Sequence, residues 1–253
     1  MLRKQLQPIV SKFEGISLDE MDEVKLMNRV DTKFAFNFSQ LIQLLESLKE
    51  DYKILEIEGT RMPFYESLYF DEKNFKFYND HYLGKENRFK VRFRKYVESN
   101  LSFLEIKHKI KGRTRKSRIN ADEIADSLNS DQQHFLEKVL NSEIKLVPKL
   151  WNSFHRMTLV NNTIKERLTL DFQLTFKWDH HEVILDNLVI AELKQEVVNR
   201  NSPFFALMKS LVIRPYRLSK YCMGALEIYG TDNLKYNRFK EKLRHLKKIN
   251  DLN

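Results

Sequence analysis

From Arg88 to Tyr96 charged and hydrophobic residues alternate: Arg88, Lys90, Arg92 and Arg94 share one parity, and Phe89, Val91 and Phe93 the other. A strand turns successive side chains to opposite faces, so this segment has a cationic face and an apolar face. The same period recurs along the chain. Asn28–Phe36 sets Arg29, Asp31 and Lys33 against Val30, Thr32, Phe34 and Phe36. Lys165–Leu174 sets Lys165, Arg167, Thr169 and Asp171 against Leu168, Leu170, Phe172 and Leu174. Phe103–Lys107 and Ile190–Lys194 each place a Glu and a Lys on one face, and Lys116 shares a face with Arg118. Further strands are predicted over Tyr52–Glu58, Phe64–Phe70, Leu101–Lys109, Arg113–Ile119, Trp151–Val160, Lys165–Phe176 and Val183–Glu196, with turns at Lys111-Gly112 and Lys177–His181.

Helical periodicity lies between these runs. Ser17 and Glu20 have capping-box spacing, and Ser39 precedes apolar positions Leu41, Ile42, Leu44, Leu45 and Leu48. Helices are also predicted over Ala121–Leu140, from Ser202-Pro203, over Leu218–Tyr229, and in a basic amphipathic tail over Asn233–Lys248. The fold class expected is α+β: an antiparallel, closed eight-stranded barrel with helices packed outside and charged faces turned inward.

Composition sharpens this picture. The formal net charge of +9 asks for an anionic partner. The single cysteine, Cys222, excludes an internal disulfide framework and suits a reducing cytoplasm. No apolar run reaches membrane-spanning length, and residues 1–10 lack a signal-peptide core. Six scattered glycines form neither GxGxxG nor GxxxxGK[ST], so phosphate must be held by side chains. Phe89 and Phe93 lie opposite the cations and cannot stack bases beside them, which ranks nucleic acid last among partners. His180-His181 reads as a turn rather than a chelating pair.

Arginine forks match phosphate oxygens and lysine supplies point charge, so rows of both fit a linear phosphate chain. Phosphoryl transfer also calls for a divalent ion, Mn²⁺ or Mg²⁺, for which Glu192 is the first candidate ligand and Glu105 the next, with Asp31 in reserve. Arg29-x-Asp31-x-Lys33, the cationic strand ending at Tyr96, Phe103-Leu104-Glu105-x-Lys107, Lys116-x-Arg118, Arg167-x-Thr169-x-Asp171, Glu192-x-Lys194 and Ser219-Lys220-Tyr221 follow in an order that resembles the VTC (vacuolar transporter chaperone) domain in its bacterial stand-alone form. That domain belongs to the CYTH-like triphosphate tunnel metalloenzymes.

The resemblance implies a tunnel domain over 29–230, preceded by a helical segment (1–28) and followed by a basic tail (231–253). It implies polyphosphate synthesis from a nucleoside triphosphate, and a membrane protein partner could receive the polymer. By position it makes Lys33, Arg92, Arg94, Lys107, Arg156 and Lys220 the catalytic cations. Arg29, Arg88, Lys90, Lys116, Arg118, Arg167 and Lys194 become substrate contacts. The Tyr-x-Arg pattern of the family reads Phe154-His155-Arg156 here, without the hydroxyl. A triphosphate or polyphosphate hydrolase and a non-catalytic polyphosphate or inositol-phosphate binding module are the alternatives on the same scaffold.

Overall fold

The computed structural model describes residues 2–23 and 29–252. In chain order the elements are α1 (Leu2–Val10), β1 (Gly15–Ile16), α2 (Leu18–Glu23), β2 (Val30–Asn37), α3 (Phe38–Leu48), β3 (Tyr52–Leu55), β4 (Phe64–Asp71), α4 (Lys76–Tyr82), β5 (Arg88–Tyr96), β6 (Leu101–Ile110), β7 (Arg113–Ala121) and α5 (Ser130–Leu140). They continue with β8 (Val147–Asn161), β9 (Glu166–Trp178), β10 (His181–Leu185), β11 (Leu188–Gln195), α6 (Pro203–Ser210), α7 (Lys220–Tyr229), a 3-10 turn (Asn237–Phe239) and α8 (Lys240–Asp251). The predicted strand start at Asn28 lies outside the described residues. None of the described helices is long and apolar enough to cross a membrane.

The main sheet runs β2-β11-β9-β8-β4-β5-β6-β7, every neighbouring pair antiparallel, with β3 and β10 paired at its flanks and β1 parallel to β3. The expected closed barrel is not completed by hydrogen bonds, because β2 and β7 do not pair. On the free edge of β2 the segment entering α7 makes a backbone hydrogen bond: the Tyr216 amide donates to the Lys33 carbonyl at 2.6 Å.

Several local differences from expectation have clear causes. Asn37, not Ser39, caps α3, exchanging hydrogen bonds with Gln40 in a capping box that starts the helix earlier. The helix expected from Ala121 begins only at Ser130, since Ala121 still pairs with Ser102 and Asn129 forms the capping box with Gln132. The strand expected over Val183–Glu196 is two, β10 and β11. At their junction Asn187 accepts from the Phe38 amide at 3.0 Å. Ser17–Glu20 and Ser202 cap their helices as the sequence indicates, and Ser219 caps α7, which starts at Lys220 rather than at the expected Leu218. The short helix α1, which contains Pro8, lies ahead of the first helix start expected, near Ser17; its Leu6, Ile9 and Val10 are buried in the core.

One outer core gathers Phe34, Phe36, Leu168, Leu170 and Leu193 of the sheet beneath α1, α3 and α6. Another gathers Leu68, Val91, Phe93, Leu104 and Ile106 with Leu136 of α5. At Gln173 the backbone enters the left-handed region (φ 51°), and the β8–β9 register shifts nearby. The extra residue resets the alternation. Leu174, expected on the outer face with Phe172, therefore joins Phe176, Leu150 and Ala35 on the opposite side, where α7 packs. One end of the inner face thus becomes an apolar seat for the helix carrying Lys220.

Gly224 makes that seat possible. A Cβ there would lie 2.3 Å from Phe176 Cδ1 and 2.7 Å from Leu150 Cδ2. Overpacking of this kind costs about 1–3 kcal/mol. Gly224→Ala is expected to lower the melting temperature by roughly 2–10 °C in a thermal scan, with loss of whatever depends on the position of Lys220.

Candidate functional site: a cationic interior

The register brings like charges face to face. Lys107 lies opposite Lys90 on one neighbour and Lys116 on the other, and Lys109 lies opposite Arg88. Directly opposed like charges destabilise a sheet. Glu105 is flanked by Arg92 and Arg118, Glu192 by Lys33 and Thr169, and Asp171 lies opposite Arg156.

The sheet curls enough for its two halves to meet. Lys90 feels the charge of Lys33, and Lys107 that of Glu192. Each pair is separated by five steps along the strand path. A flat sheet would put them about 24 Å apart at roughly 4.8 Å per step, beyond effective reach.

Three carboxylates organise the interior, each between two cations. Arg92 donates to Glu105 Oε2 from Nε and Nη2 at 3.0 and 2.7 Å, and Lys116 pairs with the other oxygen. Arg156 makes a two-toothed pair with Asp171 at 2.5 and 2.7 Å, and Lys220 binds Asp171 Oδ2 as well. Glu192 accepts from Lys33 at 2.6 Å and Lys194 at 2.9 Å. Burial alone would raise all three carboxyl pKa values. Their cations prevail and hold them below the ordinary carboxylate range.

Positive charge still remains over. Among the described residues, Arg94, Lys107 and Lys90 have no carboxylate within ion-pair distance. Arg94 is buried. Its Nε donates to Ser67 Oγ at 3.3 Å, and its guanidinium lies 5.6–5.7 Å from the rings of Tyr65 and Phe154. Arg92, burial and Arg94, in that order, push the Lys107 pKa well below the lysine range. Burial, with Lys33 and Arg88, lowers that of Lys90.

Phe154 serves as a floor for the cations where the family pattern has tyrosine. Its ring stacks on Tyr65 at 5.5 Å, with Lys220 Nζ 3.6 Å and the Arg156 guanidinium 5.2 Å from its centroid. The chain of contacts extends to Asp71, which accepts from the Tyr221 hydroxyl at 2.6 Å and from the Phe77 and Tyr78 amides. Tyr221 in turn stacks on Tyr69, whose hydroxyl accepts from Arg92 at 2.9 Å.

The interior therefore unites Lys33, Lys90, Arg92, Arg94, Lys107, Lys116, Arg156, Lys194 and Lys220 with Glu105 and Glu192. Other predicted contacts stand at its ends. Arg29 is held by Asp31 at the surface, Arg88 donates to the Lys85 carbonyl, Arg118 covers the Phe103 ring, and Arg167 reaches Met21. Asp171 is held by Arg156 and Lys220. Ser67, Tyr69 and Asp71 were missed, although their alternation with Leu68 and Phe70 in the predicted strand was a usable signal.

The donor set bears on a divalent metal. No group of three His, Cys, Asp or Glu side chains forms a metal cage among the described residues. A hard ion arriving with phosphate oxygens and waters needs only one or two carboxylates. Glu192, partly accessible within the cation cluster, fits that role, whereas Glu105 is fully buried under Arg92 and Lys116. A cavity of about 810 Å³ lies outside the interior, lined by Phe77, Phe89, Leu140 and Ile144 with Lys73 and Lys145, and contains none of the clustered cations.

Lys220 gives the site a pH response. Burial foremost, with Arg156 and Arg94, lowers its pKa from 10.5 to about 7 despite Asp171. Its folded pKa lies below its unfolded value, so from about pH 7 to 10.5 unfolding takes up a proton and this group's contribution to stability rises with pH. A bound polyanion restores the proton. Tripolyphosphate binding above pH 7 is therefore expected to take up protons and to weaken by up to about tenfold per pH unit for each proton. Calorimetry in buffers of different ionisation enthalpy measures this uptake, which Lys220→Arg should reduce by about one proton.

The inner face of the curled antiparallel sheet thus carries surplus positive charge. The profile of the VTC domain matches residues 28–229, and the chain belongs to that family. In structure it is similar to a candidate adenylate cyclase from Vibrio parahaemolyticus (10% identity, 77% of this chain and 97% of that one, TM-score 0.47). It is also similar to a candidate adenylyl cyclase from Hippeastrum described as having a dominant triphosphatase activity (12%, 77% and 95%, 0.45). A conserved hypothetical protein from Pyrococcus furiosus is a further likeness (12%, 76% and 97%, 0.43). No curated protein sequence matches the chain.

Proposed function

We propose that the protein is a metal-dependent polyphosphate polymerase that transfers the terminal phosphoryl group of a nucleoside triphosphate to a growing polyphosphate chain. The observation that carries this reading is the inner surplus of Arg94, Lys107 and Lys90 beside three carboxylates already shared between cations. Membership of the VTC domain family supports transfer to phosphate rather than to water.

A terminal oxygen of the chain attacks the γ-phosphorus, a new P–O bond forms, and the bond from that phosphorus to the β–γ bridging oxygen breaks. The nucleoside diphosphate leaves with the electron pair, so the transfer needs no protein nucleophile. Arg94 and Lys107 hold the non-bridging oxygens and counter the charge that shifts during transfer. Arg156 and Lys220 can turn from Asp171 toward phosphate, while Asp171 keeps them in place before substrate arrives. Mn²⁺ or Mg²⁺, held by Glu192 together with phosphate oxygens, would supply further charge neutralisation.

Purified protein incubated with ATP, Mn²⁺ and a short polyphosphate primer should yield long chains on a gel, and Glu192→Ala should not. Free phosphate without elongation would make the protein a hydrolase. Tight polyphosphate binding with no turnover would make it a binding module.

A further inference from the structure

The row of cations does not stop at the mouth of the interior. On β6 the inward parity runs Glu105, Lys107, Lys109, and the next residue of that parity, Lys111, opens the turn to β7. Lys111 and Gly112 both take positive φ (45° and 79°), which gives a tight hairpin. From Ile106 to Asn120 the sequence holds no carboxylate, and residues 111–116 are all exposed. Lys109, Lys111, Arg113 and Arg115 have no ion-pair partner among the described residues. Lys109 lies opposite Arg88 and within electrostatic reach of Arg217, the neighbour of Tyr216, whose amide bonds to the free edge of β2.

We propose that the β6–β7 tip, flanked by Arg88 and Arg217, is an external landing for polyphosphate, holding the phosphate units that extend beyond the interior. This rests on the polyphosphate reading and adds to it a second, chain-length-dependent contact. The tip suits a bare phosphate chain better than other polyanions. Its nearby aromatic groups, His108 and Phe89, are stacked on each other at 4.1 Å and give nucleobases no free platform. Its one hydrophobic residue, Ile110, is half-buried and offers little to insert into a lipid surface. The competing explanation is that these charges only protect the free edge of β7 from pairing with another sheet. That role would not distinguish short chains from long ones.

The test replaces Lys111, Arg113 and Arg115 together by glutamine and measures binding of tripolyphosphate and long-chain polyphosphate to the whole protein over a range of salt. The landing predicts tripolyphosphate affinity unchanged within about twofold and long-chain affinity at least tenfold weaker. The long-chain salt slope should fall by roughly two, at about 0.7 per charge removed. A companion variant, Arg113→Lys with Arg115→Lys, should keep long-chain affinity and exclude a folding defect. Unchanged long-chain binding, or equal loss for both ligands, would refute the landing while leaving the interior site standing. Wild-type protein that binds no tripolyphosphate would overturn the interior reading, and the landing with it.

Discussion

Lys107→Gln is expected to make the protein more stable and less active at once. Lys107 faces Lys90 and Lys116 across the two neighbouring strands and feels Arg92 and Arg94, so its charged form is disfavoured in the fold. Its folded pKa lies far below its unfolded value, and its unfavourable contribution is largest where the group is charged, at low pH, and fades as pH rises toward the unfolded pKa. A neutral side chain of similar length removes that repulsion. The melting temperature of the ligand-free protein should therefore rise, while polymer synthesis falls by about 10²–10³, the usual cost of deleting one preorganised group at developing charge. Thermal scans with and without tripolyphosphate check this: wild type should gain more from the ligand than the variant. A variant less stable than wild type and fully active would show that Lys107 is merely structural.

Asp171→Ala should do the opposite. It leaves Arg156 and Lys220 in the buried interior without their shared counter-charge. Removing one partner of a buried pair costs about 3–5 kcal/mol, here a fall in melting temperature of roughly 6–20 °C. Tripolyphosphate should recover part of the loss by pairing with both cations. Recovery by tripolyphosphate, but not by the same ionic strength of sodium chloride, would separate a specific site from general screening. Opposite signs at Lys107 and Asp171, both on the inner face of the sheet, are the signature of a site held ready for negative charge.

Much of this arrangement follows from parity alone. A period of two fixes which residues of each strand share a face, and so Arg92 with Arg94, and Glu192 with Lys194, could be paired from the sequence alone. Ser202-Pro203 could likewise be read as a helix start. The limits arise where a single residue breaks the period. The left-handed Gln173 moves Leu174 and Phe176 inward and builds the seat for α7, while the register that brings Arg156 to Asp171 runs unbroken from the turn between β8 and β9. Asn37 and Asn129 cap their helices through their side-chain oxygens, a role asparagine fills as well as serine. Barrel closure is a property of the two sheet edges, and the edge of β2 is taken by the segment around Tyr216 rather than by a strand.

The most direct measurement is a crystal structure of the protein with tripolyphosphate. The account predicts phosphorus density inside the curled sheet, within hydrogen-bonding distance of Arg94 and Lys107, with Lys220 or Arg156 turned from Asp171 toward it. Density only on the outer surface, or in the cavity between Phe77 and Ile144 with the interior ion pairs undisturbed, would contradict it.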